Sequence, residues 1–373
     1  MQENQSEQSL GDGIHLFDTK SLVVTCLLLI NLACLCACTE LNQKEQQVQK
    51  YLDHIDQLKS QVNQHLNFKG SDDKPKLTSI KDLDLENLRL PSTRFRRFTL
   101  AESPQLNFRQ FMSISDCSLS RHIAFRNSPL GRMMLPAQEL AYNHRFLKAA
   151  KQCEGHLEPK LDDQLKKVIK FKESQWADLH WNAIWGGTPL AKFFSLAWPR
   201  GDQIKSLDAQ DEAQLAWLAE LNPSYKGDLS NELEQKLAQL PNYVGGQVLL
   251  NAYYAWFFLK ASHPKLVQVD KLSALMTKSD SATCKIFEQS MQVFAEAQFG
   301  MSKAYQQLEA LQASFAGLIK LQKQSRYPSP ILTDFIERWL STDHPQSTKL
   351  EFKTMIKAQV QLWLKIKKSL KCL

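Results

Sequence analysis

Glycine is scarce, with 13 residues in 373, about half the usual share of roughly 7%. That shortage disfavours architectures that turn tightly every few residues, such as hairpin-rich sandwiches and barrels. No segment of useful length alternates apolar and polar residues, so strands leave no signature either. GxSxG, a P-loop, GxGxxG, CxxC metal spacing and HExxH are all missing, and no internal repeat occurs. What is present is an ordinary globular composition, 43% hydrophobic and 23% charged. It is long enough for one large domain or two smaller ones. Acid is in deficit: 46 Lys and Arg face 39 Asp and Glu, a formal charge of +7.

Residues 21–38 read SLVVTCLLLINLACLCAC, an apolar run behind Lys20 that closes on small residues. That is the layout of a secretory signal. Leu35, Cys36, Ala37 and Cys38 resemble the lipobox of bacterial lipoproteins, which makes Cys38 the candidate for lipidation; Cys34 fits less well. Two acyl chains on one thioether anchor stably where one chain is marginal. The resemblance implies a signal peptide over 1–37 and, because Thr39 rather than aspartate follows the anchor, an outer-membrane address facing the periplasm. The competing reading is an uncleaved anchor helix, since about 18 apolar residues reach the lower limit for a span. Residues 1–37 hold Glu3, Glu7, Asp12 and Asp18 against Lys20, so the remainder carries 45 bases, 35 acids and a net +10.

Val48, Leu52, Ile55, Leu58, Val62 and Leu66 step by three and four and predict a first helix over 41–66. The polar, proline-containing stretch from Lys69 to Gln105 predicts an extended connector lying on the surface. Helical stretches follow: Phe108 to Ile123, ending before Pro129 and Gly131; Pro136 to Gln152; Leu161 to Ala183 without a break, stopping at Gly186 and Gly187; Asp208 to Leu221; and Ser230 to Leu240. Val244 to Leu259 is apolar on nearly every face and predicts a helix buried in the middle of the domain, short for a membrane span. Helices resume over Lys285 to Gln324, Pro330 to Leu340 and Leu350 to Leu370. The fold class is therefore all-α, a single multi-helix domain over 106–373 behind a region, 38–105, of anchor, first helix and connector.

Cys117, Cys153, Cys284 and Cys372 lie beyond the leader, an even number suited to an oxidising compartment. Three pairings are possible. Cys117 with Cys153 flanks one helical hairpin, and Cys284 with Cys372 staples the carboxyl end to the start of a long helix, so this combination is preferred.

Residues 121–153, RHIAFRNSPLGRMMLPAQELAYNHRFLKAAKQC, with Cys117 ahead of them and the segment GGQVLLNAYY, resemble an uncharacterised family of gammaproteobacterial lipoproteins. That family is known as domain of unknown function three thousand and eighty. Its cysteine, arginine-asparagine-serine and leucine-glycine pattern is matched by Cys117, Arg126, Asn127, Ser128, Leu130, Gly131 and Cys153, and the later cysteines by Cys284 and Cys372. The resemblance implies a membrane-anchored envelope protein with paired cysteines and no assigned activity.

Arg126, Asn127, Ser128 and Gly131, in a turn between helices, with Gln138, Glu139, Tyr142 and Arg145 on the next helix, form the candidate binding set. They suit a carboxylate or phosphate; as turn formers beside an arginine they suit loop structure better. His122, Glu139 and His144 lack metal spacing, so no metal and no cofactor are assigned. Ser71 to Lys74 matches SxxK by chance in a polar linker. Trp176, Trp181, Trp185, Trp198, Phe193, Phe194, Tyr253, Tyr254 and Trp256 are read as core, with an apolar-ligand pocket as the alternative. The last helix sets Lys349, Lys353, Lys357, Lys365, Lys367, Lys368 and Lys371 against Glu351, an amphipathic pattern that packs its apolar side and solvates its lysines or lies on anionic lipid. Arg89, Arg94, Arg96 and Arg97 make a second basic cluster around Phe95 and Phe98. Together these readings predict a non-enzymatic envelope binding or scaffold module. Its partners are the membrane through the anchor and an envelope protein, anionic lipid or cell-wall polymer, with nucleic acid excluded by export. The alternatives are a hydrolase or transferase using Arg126 and Glu139 in a polar cleft, and an apolar-ligand carrier.

Overall fold

Among the described residues five helices start with proline in their first turn, where its missing N–H costs nothing and its fixed φ is already helical. The computed structural model describes residues 46, 49–64, 88–101, 117–196, 213, 232–276, 279–322 and 329–372. In chain order the helices are α1 (49–64), α2 (Thr93–Arg96), α3 (Leu119–Asn127), α4 (Pro129–Arg132), α5 (Pro136–Cys153), α6 (Pro159–Ser174) and α7 (Trp176–Trp185). There follow α8 (Thr188–Phe193), α9 (Glu232–Ala238), α10 (Val244–Ser273), α11 (Ser281–Gln322), α12 (Pro330–Phe335) with a π-turn at Ile336–Leu340, and α13 (Thr348–Leu370). No strand occurs among the described residues, and the fold is all-α.

The helices share three apolar cores. One gathers Trp181, Trp185, Phe193, Phe194, Phe315 and Trp339 around the first half of α10. A second joins Tyr51, Ile55 and Leu58 of α1 to Phe258, Leu266, Phe294 and Trp363. A third, smaller core lies between α3, α5 and α6. The long helices α10 and α11 run through both larger cores and α5 through the first and third, so no core is sealed off from the others.

The apolar segment at Val244 forms the buried helix the sequence predicts, with every residue from Val244 to Leu250 buried. Its paired glycines are there for contact: a Cβ on Gly246 would stand 2.3 Å from the Ser195 carbonyl oxygen, so the helix start seats directly on backbone. The helix then runs on to Ser273, through Pro264. Pro264 removes one backbone donor, but Ser262 Oγ donates to the Phe258 oxygen at 2.8 Å and Gln359 Nε2 of α13 to the Leu259 oxygen at 2.9 Å, supporting the turn before it. No helix of the described residues is long and apolar enough to cross a membrane.

Several readings need correction. The stretch from Leu161 to Ala183 breaks at Gln175 into α6 and α7. The connector does not simply lie on the surface: within 88–101, Leu88 and Arg96 are buried and α2 interrupts the extended backbone. Arg126 and Asn127 belong to the last turn of α3 and Gly131 to α4, so only Ser128 stands between helices. The leader with Cys38, Ser71 to Lys74, Phe108, Met112, Trp198 and the helix expected over Asp208 to Leu221 lie outside the described residues, apart from the isolated helical residue at 213.

Candidate functional site

The Arg126 set sits where α3 and α4 fold back on α5. Ser128 Oγ accepts from the Gly131 N–H at 3.1 Å and donates to the Phe125 oxygen at 2.7 Å, capping one helix while closing the other. A Cβ on Gly131 would meet the Phe125 oxygen at 2.0 Å, so the elbow requires glycine for close approach. Arg126 spends its guanidinium on the fold: Nη1 donates to the Gly131 oxygen at 2.9 Å and Nη2 pairs with Glu139 at 3.0 Å. Gln138 accepts from the Leu135 N–H at 3.1 Å and reaches Glu234 of α9 at 3.2 Å. Tyr142, whose phenol burial pushes up to about 12, donates to the His122 oxygen at 3.1 Å. Lys172 of α6 donates to Asn143 at 2.7 Å, and its ammonium is destabilised by burial and by Arg126. Asn127 and Arg145 are exposed. The structure thus brings the predicted residues together at one elbow, but most of their polar capacity is already satisfied internally.

Cys117 at the start of this region lies beside Cys153 at the end of α5, Cα atoms 6.1 Å apart, and Cys284 lies beside Cys372 with Cα atoms 5.4 Å apart; both pairs are disulfides. Among the described residues no group of three His, Cys, Asp or Glu is placed to hold a metal ion.

Arg96, one of the four arginines of the second basic cluster, is a buried cation. Its Nη1 donates to the carbonyls of Trp185 and Gly187 at the carboxyl end of α7, and its Nη2 to Thr93 Oγ1 at 3.0 Å. Burial lowers its guanidinium pKa to about 10, while the negative end of the helix dipole favours the charge. Trp181 Nε1 donates to the Arg96 oxygen at 2.7 Å, and Asn182 clasps the Phe98 backbone on both sides, at 2.7 and 3.0 Å. Trp181, Trp185, Phe193 and Phe194 are core.

A groove of about 720 Å³ opens between α10, the π-turn and α13. Tyr253 and Trp256 stack at 5.5 Å, Trp339 meets Tyr253 edge-on at 5.9 Å, and Met355 lines the same space. Lys260 sits 4.5 Å over the Trp256 ring. Arg338, exposed at the groove, makes no ion pair among the described residues, and the buried Trp256 indole N–H has no partner. The π-turn rotates Trp339 and Arg338 relative to an α-helical continuation; such turns recur at functional sites. It is held by Ser341 N–H donating to the Ile336 oxygen at 2.8 Å and by buried Gln312 donating to the Trp339 oxygen at 2.9 Å. The aromatic set of the sequence includes Tyr253 and Trp256; Arg338 and Trp339 lie in the π-turn, which has no sequence period, and Lys260 lies one turn beyond Trp256 on α10, where a single lysine carries no signal of its own.

Fold and sites define an all-helical, doubly disulfide-bonded protein with an internally locked polar elbow and an aromatic groove flanked by cations. The chain belongs to the family described as protein of unknown function (DUF3080), which it matches over residues 75–369. No curated protein and no solved structure matches it.

Proposed function

We propose that this protein is an exported lipoprotein, anchored through diacylated Cys38 on the periplasmic face of the outer membrane, that works by binding an acidic envelope ligand rather than by catalysis. The observation that carries the binding half is the groove: aromatic walls with Lys260 and Arg338 beside them against one carboxylate, Glu351, in the lining. The adjoining helix α13 adds Lys353, Lys357, Lys365, Lys367 and Lys368, all solvated and outside any ion pair among the described residues. Phe352, Trp363 and Ile366 are packed in the core, and the exposed side of α13 carries these lysines with Glu351, Leu350 and Leu364 among them. The Arg126 set supports the non-catalytic half, because its hydrogen bonds are committed to neighbouring backbone and side chains. Envelopes carrying the Cys38→Ser protein, washed at rising salt, test the reading. The wild-type groove retains protein at low salt, Arg338→Gln with Lys260→Gln releases it, and mass spectrometry of the parent finds acyl chains on Cys38. Retention indifferent to both salt and these two substitutions refutes the binding half; an unmodified Cys38 refutes the anchor.

A further inference from the structure

The elbow presents its apolar surface outward. Of ten exposed large hydrophobic side chains among the described residues, four fall between Phe125 and Leu135: Phe125 at 41%, Leu130 at 75%, Met133 at 81% and Leu135 at 54%. Single exposed apolar residues are ordinary, but a cluster marks a contact surface. Along the elbow's own stretch of chain the charge has one sign, and the two carboxylates that approach it, Glu139 and Glu234, are engaged by Arg126 and Gln138. From Cys117 to Gln138 the chain holds Arg121, Arg126 and Arg132 and no aspartate or glutamate. The nearby Glu139 is tied to Arg126, while Arg121 and Arg132 make no ion pair among the described residues.

We propose that this elbow inserts into the interface of an anionic lipid bilayer, with Leu130 and Met133 as the penetrating side chains and Arg121 and Arg132 on lipid phosphates. Three features select a bilayer over a protein partner. Leu130 and Met133 project with most of their surface free, a form that a soft acyl layer accepts without a matching pocket. The charge left without an ion-pair partner at the elbow, Arg121 and Arg132, is all positive and complements an acidic surface, without the mixed free charges that fix register between proteins. The wedge is also rigid, held by the Ser128 cap, the Arg126 bonds and the close approach at Gly131, so insertion orders little new backbone. Apolar insertion and attraction to acidic lipid add. This inference does not require the acyl anchor or the groove, and stands apart from both.

The test places a benzoylphenylalanine photocrosslinker at Met133 in the full chain, with a control at Phe299 of α11, which is 78% exposed. Vesicles contain either about one-third phosphatidylglycerol in phosphatidylcholine or phosphatidylcholine alone. At Met133 the crosslinks go to lipid acyl chains, with a yield about tenfold above Phe299 and above neutral vesicles; Arg121→Gln with Arg132→Gln lowers elbow affinity about fivefold for each arginine. Equal lipid crosslinking from Met133 and Phe299 overturns the proposal. Crosslinks from Met133 to a second copy of the chain, or an identical yield on neutral vesicles, overturn it as well. Both arginines lie on the surface, and unchanged helical circular dichroism with both disulfides intact confirms that the variant is folded.

Discussion

Acidification should weaken this fold through one buried ring. His180 on α7 is 5% exposed, stands edge-on to Trp176 at 5.0 Å, and has a buried Nε2 without a hydrogen-bond partner. Burial, helped by the nearby His144, lowers its pKa to about 4. An unfolded chain returns it to about 6.5. Above the higher value the ring is neutral in both states and contributes no pH dependence. Between the two, the unfolded chain binds a proton that the folded protein refuses, so stability falls as pH falls. Below about 4 both states are protonated and the loss is complete, at roughly 3 kcal/mol. Urea unfolding followed by tryptophan fluorescence from pH 7.5 to about 4 reads this directly, with His180→Phe as comparison. The variant keeps an aromatic plate against Trp176 and removes the proton site, so its stability should be flatter over that window. Asp162 is separable from it: hydrogen bonds from Lys166 and the Gly155 N–H hold its carboxyl below the usual range, so its contribution is lost only at more acid pH. Parallel profiles for wild type and His180→Phe would refute the assignment.

Removing the Cys284–Cys372 bond, which spans 88 residues, by paired serine substitution should cost roughly 4–5 kcal/mol in denaturant unfolding, against about 4 for Cys117–Cys153 across 36. Gly131→Ala should cost about 2–3 kcal/mol, because backbone must move to admit the new Cβ; thermal melting and faster proteolytic cutting near residue 131 would report it. Arg96→Leu should cost about 3 kcal/mol by leaving the Trp185 and Gly187 carbonyls without their donor, with a loss of near-ultraviolet dichroism from the stacked Trp181 and Trp185 pair.

Where a helix buries one stripe or every face, its period was legible: α1, α5, α10, α11 and α13 all fall at their expected places. Boundaries failed where local chemistry was overruled. The helix expected to end at Leu259 runs through Pro264 to Ser273, because Ser262 and Gln359, 97 positions apart, bond the carbonyls of the turn before the proline. The break at Gln175 is hidden because α6 and α7 together keep a helical step from Leu161 to Ala183, with the stem of Lys172 standing at the one non-apolar position. The candidate set at Arg126 was found as a set because its members are close in sequence. Its turn chemistry already favours a structural role, and the Gly131 and Glu139 contacts of Arg126 supply the partners that the sequence does not name. Arg96 shows the opposite failure, since nothing in a basic, proline-flanked stretch announces that one of four arginines is enclosed and caps a helix about ninety residues away.

In the second core, Trp363 donates its indole N–H to the Tyr51 hydroxyl at 3.0 Å across 312 residues, and Phe258 and Phe294 complete the enclosure. A chain made amino end first therefore carries the apolar stripe of α1 uncovered until α10 and α11 have emerged, and its enclosure stays incomplete until α13 brings Trp363. Completion of this core waits for the final helix, so prematurely terminated products should be open to proteolysis rather than accumulate as partly working fragments.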